Sequence, residues 1–284
     1  MENESDFSLD NANIAIIGLG LMGGSLALSL KGHCHNLSAL DDHLPTLKLA
    51  RNDEIVDLAS SDPVEVLPDV DLVILACPIP AILSWLKRLP DYIQHPCIVL
   101  DIGSTKHNIT AALEAMPGNF DPIGGHPICG KETLSLQNAE NSLYQDAPFV
   151  FTPLSRTSDH ARSAALQIAE ILGANPYWLD AETHDRILAS TSHLPYLLSS
   201  ALTLAVPEDA ASLIGPGFRS STRLAGTPSS MMLGVLTSNR DNILSALDSL
   251  KSQLTEIETI LQEDDCEKLQ SILDQAYTRY QFLI

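Results

Sequence analysis

Along the first 180 positions, apolar residues come in short runs separated by longer stretches of mixed character. The runs NIAIIG, NLSALD, DLVILAC, CIVLDIG, PIGGH, PFVFT and PYWLD have the length and β-branched content of buried strands. Segments long enough for helices of three turns lie between most of them, the pattern of right-handed βαβ crossovers on a mainly parallel sheet. After residue 180 the strand signal stops. From Asn242 to Leu261, the residues Ile243, Leu247, Leu250, Leu254, Ile257 and Leu261 recur at steps of four and three, an apolar seam along one helix face. Such a seam serves as the core of a helix bundle or as the contact between two copies of a chain. Pro195, inside ILASTSHLPYLLSSALTLAV, is expected to kink or start a helix. The stretch GPGFRSSTRLAGTP, from 215 to 228, reads as a loop carrying two arginines between helices.

Composition narrows the class. The chain has 284 residues, enough for two domains of ~100–200 residues each. An apolar content of 45% with 18% charged residues marks a folded globular protein. Uncharged apolar stretches fall far short of the ~20 residues a membrane helix needs, so no membrane partner is expected. The first ten residues are acidic, without a basic start or an apolar run, and read as a frayed tail and not a secretory signal. Five cysteines without a Cys-x-x-Cys pair suit a reducing compartment, and the cytoplasm is the expected location. A formal charge of −20 repels nucleic acid and anionic membranes, so an anionic ligand must be held by a local concentration of donors.

The stretch GLGLMGGS follows the first strand directly. Gly18, Gly20 and Gly23 form G-x-G-x-x-G, in which the first glycine turns the chain and the second admits a pyrophosphate. The third lets the next helix pack on the strand. Backbone N–H groups at the start of that helix, those of Leu21 and Met22 among them, would face the phosphates. Asp41, 18 residues after Gly23 at the end of the second strand, is placed to accept the ribose hydroxyls. With Asp42 beside it and no adjacent arginine, NAD is expected in place of NADP. DLVILACPIP reads as a strand ending in a turn, with Cys77 and Pro78 at the cofactor crevice. These features predict an α/β protein: an N-terminal Rossmann-type dinucleotide-binding domain followed by an all-α domain. The expected layout is an acidic tail over 1–10, the nucleotide domain over 11–180, and a helical substrate and dimerisation domain over 181–284.

Two polar residues stand just beyond later strands, Ser104 in DIGSTK and His126 in GGHPICG, where the carboxyl ends of the strands line a ligand crevice. His126 is the candidate acid/base, with Ser104 fixing its tautomer or binding the cofactor's ring amide. Neither lies in a serine-hydrolase motif. HCH at 33–35 lacks tetrahedral ligand spacing, so no metal is expected. Cys129, beside the His126 turn, reads as packing.

GLGLMGGS, DLVILACPI, DIGSTK, GGHPICG, HDRILASTSHLP and GFRSSTRLAG, in this order, resemble the prephenate/arogenate dehydrogenase family of tyrosine biosynthesis. The resemblance covers about residues 13 to 245. It implies NAD(P)-linked oxidative decarboxylation of a cyclohexadienol in a homodimer joined through the helical domain. His126 would hydrogen-bond the ring hydroxyl and take its proton, Ser104 would position it, and Arg223 would clamp a substrate carboxylate. Arg219 is a possible helper, and Tyr196 would line the side-chain end of the substrate. His193 would stand on the substrate side, more as the residue holding the helix kink than as a chemical participant, with His184 beside Asp185 as a helix-start pair. The chain departs from many prephenate-specific members at Tyr196, where they have a second histidine, and at Met232, where several have tryptophan. Arogenate is therefore the alternative substrate, and Glu132 could pair with its ammonium. A β-hydroxyacid or imine reductase is the more distant alternative. It would want a lysine on the second domain, which offers only Lys251 and Lys268, both in polar surroundings. A non-catalytic dinucleotide-binding dimer is the other.

Overall fold

The computed structural model describes residues 7–131 and 133–284. Glu132 lies outside the described residues. Two compact units result, Met1–Asn239 and Arg240–Ile284.

In the first unit, eight strands form one sheet: β1 (Asn13–Ile17), β2 (Asn36–Leu40), β3 (Leu58–Ser60), β4 (Leu72–Leu75), β5 (Cys97–Asp101), β6 (Phe120–Pro127), β7 (Pro148–Pro153) and β8 (Asn175–Trp178). Their order is β3-β2-β1-β4-β5-β6-β7-β8. The chain winds outward from β1 in both directions, so the order reverses between β1 and β4, where doubly wound sheets bind their ligands. Alternation explains the continuous apolar runs. Ile14 and Ile16 of β1 point into one core layer while Ala15 and Ile17 point into the other, so both faces are covered. β3 escapes the sequence pattern because it is only three residues long and its Leu58 is exposed. Register with β2, Ser38 opposite Leu58, makes it a strand. β7 runs antiparallel to β6, with His126 opposite Val150. Among the described residues of the β6–β7 connection there is a 3-10 turn, Leu136–Asn138, and no crossover helix to return the chain to the parallel direction.

Helices α1 (Leu21–Leu30), α2 (Leu44–Asn52), α3 (Pro63–Val66), α4 (Ile79–Arg88), α5 (His107–Glu114) and α6 (Asp159–Ile171) accompany the strands. The sheet ends at Trp178. There follow α7 (Ala181–Leu188), a π-helical turn (Ala189–His193), α8 (Leu194–Ala205), α9 (Pro216–Thr222), a 3-10 turn (Arg223–Gly226) and α10 (Ser229–Ser238). Pro195 stands in the first turn of α8, where its missing N–H has no intrahelical partner to lose. The segment 215–228, expected as a loop, instead forms α9 and the 3-10 turn. Pro216 occupies the first turn of α9, Pro228 stands just before α10, and the glycines fall at or near the ends of the two short pieces.

Secondary structure changes character between Trp178 and Ala181, whereas packing breaks at Asn239, because α7 and α10 are tied to the sheet's rim. Thr105 and Ser238 share a hydroxyl hydrogen bond of 2.8 Å, and both carboxylate oxygens of Asp185 accept from the start of α5. Of the tail expected over 1–10, residues 1–6 lie outside the described residues, and the rest is packed. Leu9 is buried and its N–H donates to the Gln167 side chain at 3.0 Å.

The second unit is a helical hairpin, α11 (Arg240–Gln262) and α12 (Cys266–Leu283), turned at Asp264 and capped by the Asp265 carboxylate on the Lys268 N–H at 3.0 Å. Helix α11 spans the predicted seam, and two of its residues, Leu254 and Leu261, are 53% and 59% exposed. No helix among the described residues is long and apolar enough to cross a membrane.

Candidate active site

The glycine turn is built from backbone conformation and space. Gly18 has φ +100°, a region closed to most side chains, and its N–H donates to the Leu40 carbonyl at 2.8 Å. A methyl group on Gly23 would lie 1.9 Å from the Gly18 carbonyl oxygen, so helix α1 reaches the strand only because that position has no Cβ. Gly20 is the opposite case, with nothing within 4 Å of where a Cβ would stand. That open face at the positive end of a ten-residue helix fits the pyrophosphate of a dinucleotide. The Leu21 side chain is buried in the core, leaving only its N–H for a ligand, and the Met22 carbonyl accepts from the Tyr144 hydroxyl at 2.7 Å. Asp41 braces the turn: one carboxylate oxygen accepts the Leu19 N–H at 2.7 Å and the other the His43 N–H at 2.8 Å. Across the switch point, Cys77 and Pro78 lead into α4, and a Cβ on Gly18 would meet the Cys77 Cβ at 3.1 Å. Burial pushes the Cys77 thiol up to about 12 and the Cys129 thiol up to about 11, so neither offers a thiolate at neutral pH.

β5 and β6 are parallel neighbours with Leu100 opposite Ile123; Ser104 stands just beyond β5, whereas His126, expected beyond its strand, is the next-to-last residue of β6, held there by pairing with Val150 of β7, so both lie at the same end of the sheet. His126 is partly exposed on β6, and its Nδ1 lies 2.9 Å from Nε2 of the buried His184. Nδ1 of His184 lies 2.8 Å from Oδ1 of Asp185, and the carboxylate also accepts the Lys106 N–H at 2.7 Å and the His107 N–H at 2.9 Å. These hydrogen bonds hold the Asp185 carboxyl below its usual range despite burial. A second buried unit lies alongside. The Lys106 ammonium pairs with Asp101 and donates to the Gly125 carbonyl at 2.6 Å, one residue from His126. Burial first, and then the nearby His184, Lys106 and His193, hold His126 well below the ordinary imidazole value of 6.5. The ring is therefore neutral at physiological pH, as a proton acceptor must be.

The neighbour that orients the His126 ring through Nδ1 is His184, not Ser104. Lys106 and Asp101 flank Ser104, and nothing in DIGSTK shows that the lysine folds inward onto Asp101. The acid next to His184 in HDR is the one local sign of its pairing, and it marks no helix start, because α7 begins three residues earlier.

His193 sits on the π-helical turn, almost fully buried, with its Nδ1 3.2 Å from the Asn239 side-chain amide. The same amide donates to the Asp185 carbonyl at 2.7 Å. Burial lowers the His193 value to about 4. Through Asn239, the ring is linked to α7 at the Asp185 carbonyl. Tyr196, three residues on, is half-buried against the core layer that contains Met232. Arg223 opens the 3-10 turn that packs on α8, held by the Ala225 N–H donating to the Ser199 hydroxyl at 2.9 Å. Arg223 and Arg219 are both exposed and lie one helical turn apart.

A doubly wound sheet with a glycine turn at its switch point and a neutral imidazole on the same rim defines a dinucleotide-dependent oxidoreductase. More narrowly, the chain belongs to the prephenate dehydrogenase family. Residues 26–177 match the family model described as prephenate dehydrogenase, nucleotide-binding domain, and residues 180–275 match the prephenate dehydrogenase dimerization domain. Among curated relatives, a prephenate dehydrogenase of Bacillus subtilis is 28% identical over 273 residues, 90% of this chain and 72% of the relative. Among solved structures, the Synechocystis arogenate dehydrogenase is 28% identical with a TM-score of 0.82, covering 95% of this chain and 99% of the other. The A. aeolicus prephenate dehydrogenase in complex with hydroxyphenyl propionate and NAD+ is 25% identical with a TM-score of 0.90, covering 98% and 100%.

Proposed function

We propose that this protein is an NAD-dependent prephenate dehydrogenase, converting prephenate to 4-hydroxyphenylpyruvate and CO2 in tyrosine biosynthesis. The observation that carries the reading is His126: a partly exposed imidazole kept neutral on the rim that also bears the glycine turn. Family membership adds the reaction class.

Gly18, Gly20 and Gly23 and the first N–H groups of α1 would hold NAD, which would accept the hydride leaving the ring carbon that bears the hydroxyl. Asp41 would accept the ribose hydroxyls with the lone pairs left over from bracing the turn, and its charge would repel a 2′-phosphate. Cys77 and Pro78 would border the adjoining crevice. His126 takes the proton of the ring hydroxyl as that carbon acquires carbonyl character. Loss of the ring carboxylate as CO2 then restores the electron pair to the ring, and His126 returns the proton as the carbonyl becomes a phenol. Charge and atoms balance with no external acid. Ser104, at the same rim, would bind the nicotinamide amide or the substrate hydroxyl.

Arg223 would hold a substrate carboxylate by two parallel hydrogen bonds, with Arg219 adding positive charge. In a chain of net charge −20, such a local pair is what admits a dianion. His193 supports the junction, and Tyr196 would face the substrate's side chain. We place the helical domain at 181–284 after a nucleotide domain at 11–180, and the exposed Leu254 and Leu261 of α11 would join two copies into a homodimer. All five cysteines are free, which suits the cytoplasm.

Arogenate is the second reading, favoured by Tyr196 and by the likeness to the Synechocystis arogenate dehydrogenase. Titrating prephenate and arogenate in parallel, each with NAD and NADP, while following NADH absorbance and CO2 release, decides between them. A kcat/KM for prephenate at or below that for arogenate would overturn the lead reading, and reduced cofactor without CO2 would overturn both.

A further inference from the structure

The donor and acceptor roles in the His126 cluster follow from its far end. Asp185 already collects two backbone N–H groups and is ionised, so toward His184 it can only accept. Nδ1 of His184 must therefore carry a proton. In a neutral ring that leaves Nε2 of His184 as a bare acceptor, and the atom facing it at 2.9 Å, Nδ1 of His126, must be the donor. Each assignment forces the next, and the last one leaves Nε2 of His126 with a lone pair.

We infer that His184 and Asp185 are positioning residues that hold His126 as its Nδ1–H tautomer and so make Nε2 the base of the reaction. The inference rests on the reading of His126 as proton acceptor. Neither residue touches substrate, since His184 is fully buried and Asp185 is 1% exposed. Their action goes through the ring of His126, as an aspartate acts through histidine in a catalytic triad. The arrangement also fixes where the ring stands. By capping α5 at Lys106 and His107, Asp185 ties α7 to the turn that follows β5, and Lys106 in turn holds the Gly125 carbonyl beside His126.

Groups facing the His126 ring are His184 from α7, Lys106 from the β5–α5 turn and His193 from the π-helical turn, with Asp185 and Asp101 behind the first two.

The test is the nitrogen-15 shift of the His126 ring in histidine-labelled holoenzyme with NAD. Its signals are picked out of the nine histidines by their absence in His126→Asn. The expected result in the wild type is a protonated Nδ1 and a bare Nε2, and a proton on Nε2 at neutral pH overturns the inference. His184→Leu removes the acceptor. It should shift the ring toward the Nε2–H form and lower kcat by ~10²-fold, with KM and NAD affinity within ~3-fold. His184→Gln, whose side-chain oxygen can accept in the same place, should recover all but ~10-fold of that rate. Unchanged tautomer and kcat in His184→Leu would also overturn it, as would a glutamine variant no better than leucine. Should the leucine variant fail to fold, the wild-type spectrum alone decides. Because that spectrum needs no turnover, a protein inactive on both prephenate and arogenate would sink the functional reading and leave the tautomer measured.

Discussion

The glycine turn and the histidine cluster share one rim of the sheet and are made in opposite ways. The turn recognises with main-chain N–H groups, and its side chains matter by being absent, at Gly20 for the ligand and at Gly23 for the helix. The cluster recognises with side chains drawn from β6, α7 and the π-helical turn, and works because His126, His184 and Asp185 are joined by hydrogen bonds while His184 and His193 are shut away from water. A backbone site is local, so each residue's part can be altered alone. A side-chain relay is shared, so altering one member changes what the others are.

The sharpest way to probe that contrast is at the reacting end of the relay. His126→Asn should lower kcat by ~10²- to 10⁴-fold while NAD affinity barely moves. Steady-state kinetics beside a cofactor titration checks it, and a large loss of NAD binding would mean that the ring is structural. Arg223→Ala is the next largest, costing ~2–5 kcal/mol of substrate binding by leaving a carboxylate unpaired. An unchanged KM would reject the clamp.

Acid separates the two regions without a mutation. His193 is lowered from 6.5 to about 4 in the folded protein, so between those values the unfolded chain takes up a proton that the folded chain refuses. The stability this ring contributes is complete above pH 6.5 and declines as pH falls toward 4, by about 3 kcal/mol in all. His126 acts in the same direction. Urea unfolding at a series of pH values measures the slope, and His193→Asn should flatten it. The glycine turn holds no histidine and should add nothing to that slope.

On the backbone side, Gly23→Ala should destabilise the fold by ~1–3 kcal/mol through the clash with the Gly18 carbonyl. Gly20→Ala should leave thermal stability nearly intact and weaken NAD instead. Equal effects at the two positions would erase the distinction drawn between them. The smallest expected effect is at Asp41→Ser, which should reduce discrimination against NADP by about 1 kcal/mol, tenfold or less in the ratio of the two affinities. No shift in that ratio would move the ribose site elsewhere.

The sequence alone determined the parts whose signal is carried within a few neighbouring residues. The strands of β1, β2 and β4 to β8, the glycine turn, the helix start at Pro195 and the long helix α11 each follow from periodicity or from a backbone constraint at one position. His126 was legible because a histidine after two glycines at a strand end has few structural duties. The tertiary structure alone decided which side chains meet it. His184 is 58 residues away and Lys106 is 20, and their approach depends on how α7 and α5 pack on the rim. β3 and the helical pieces of 215–228 are of the same kind, too short to declare themselves and formed by the neighbours they pair with or pack upon. Hydrogen bonds and desolvation act across space, and a linear pattern records only the residues available for them.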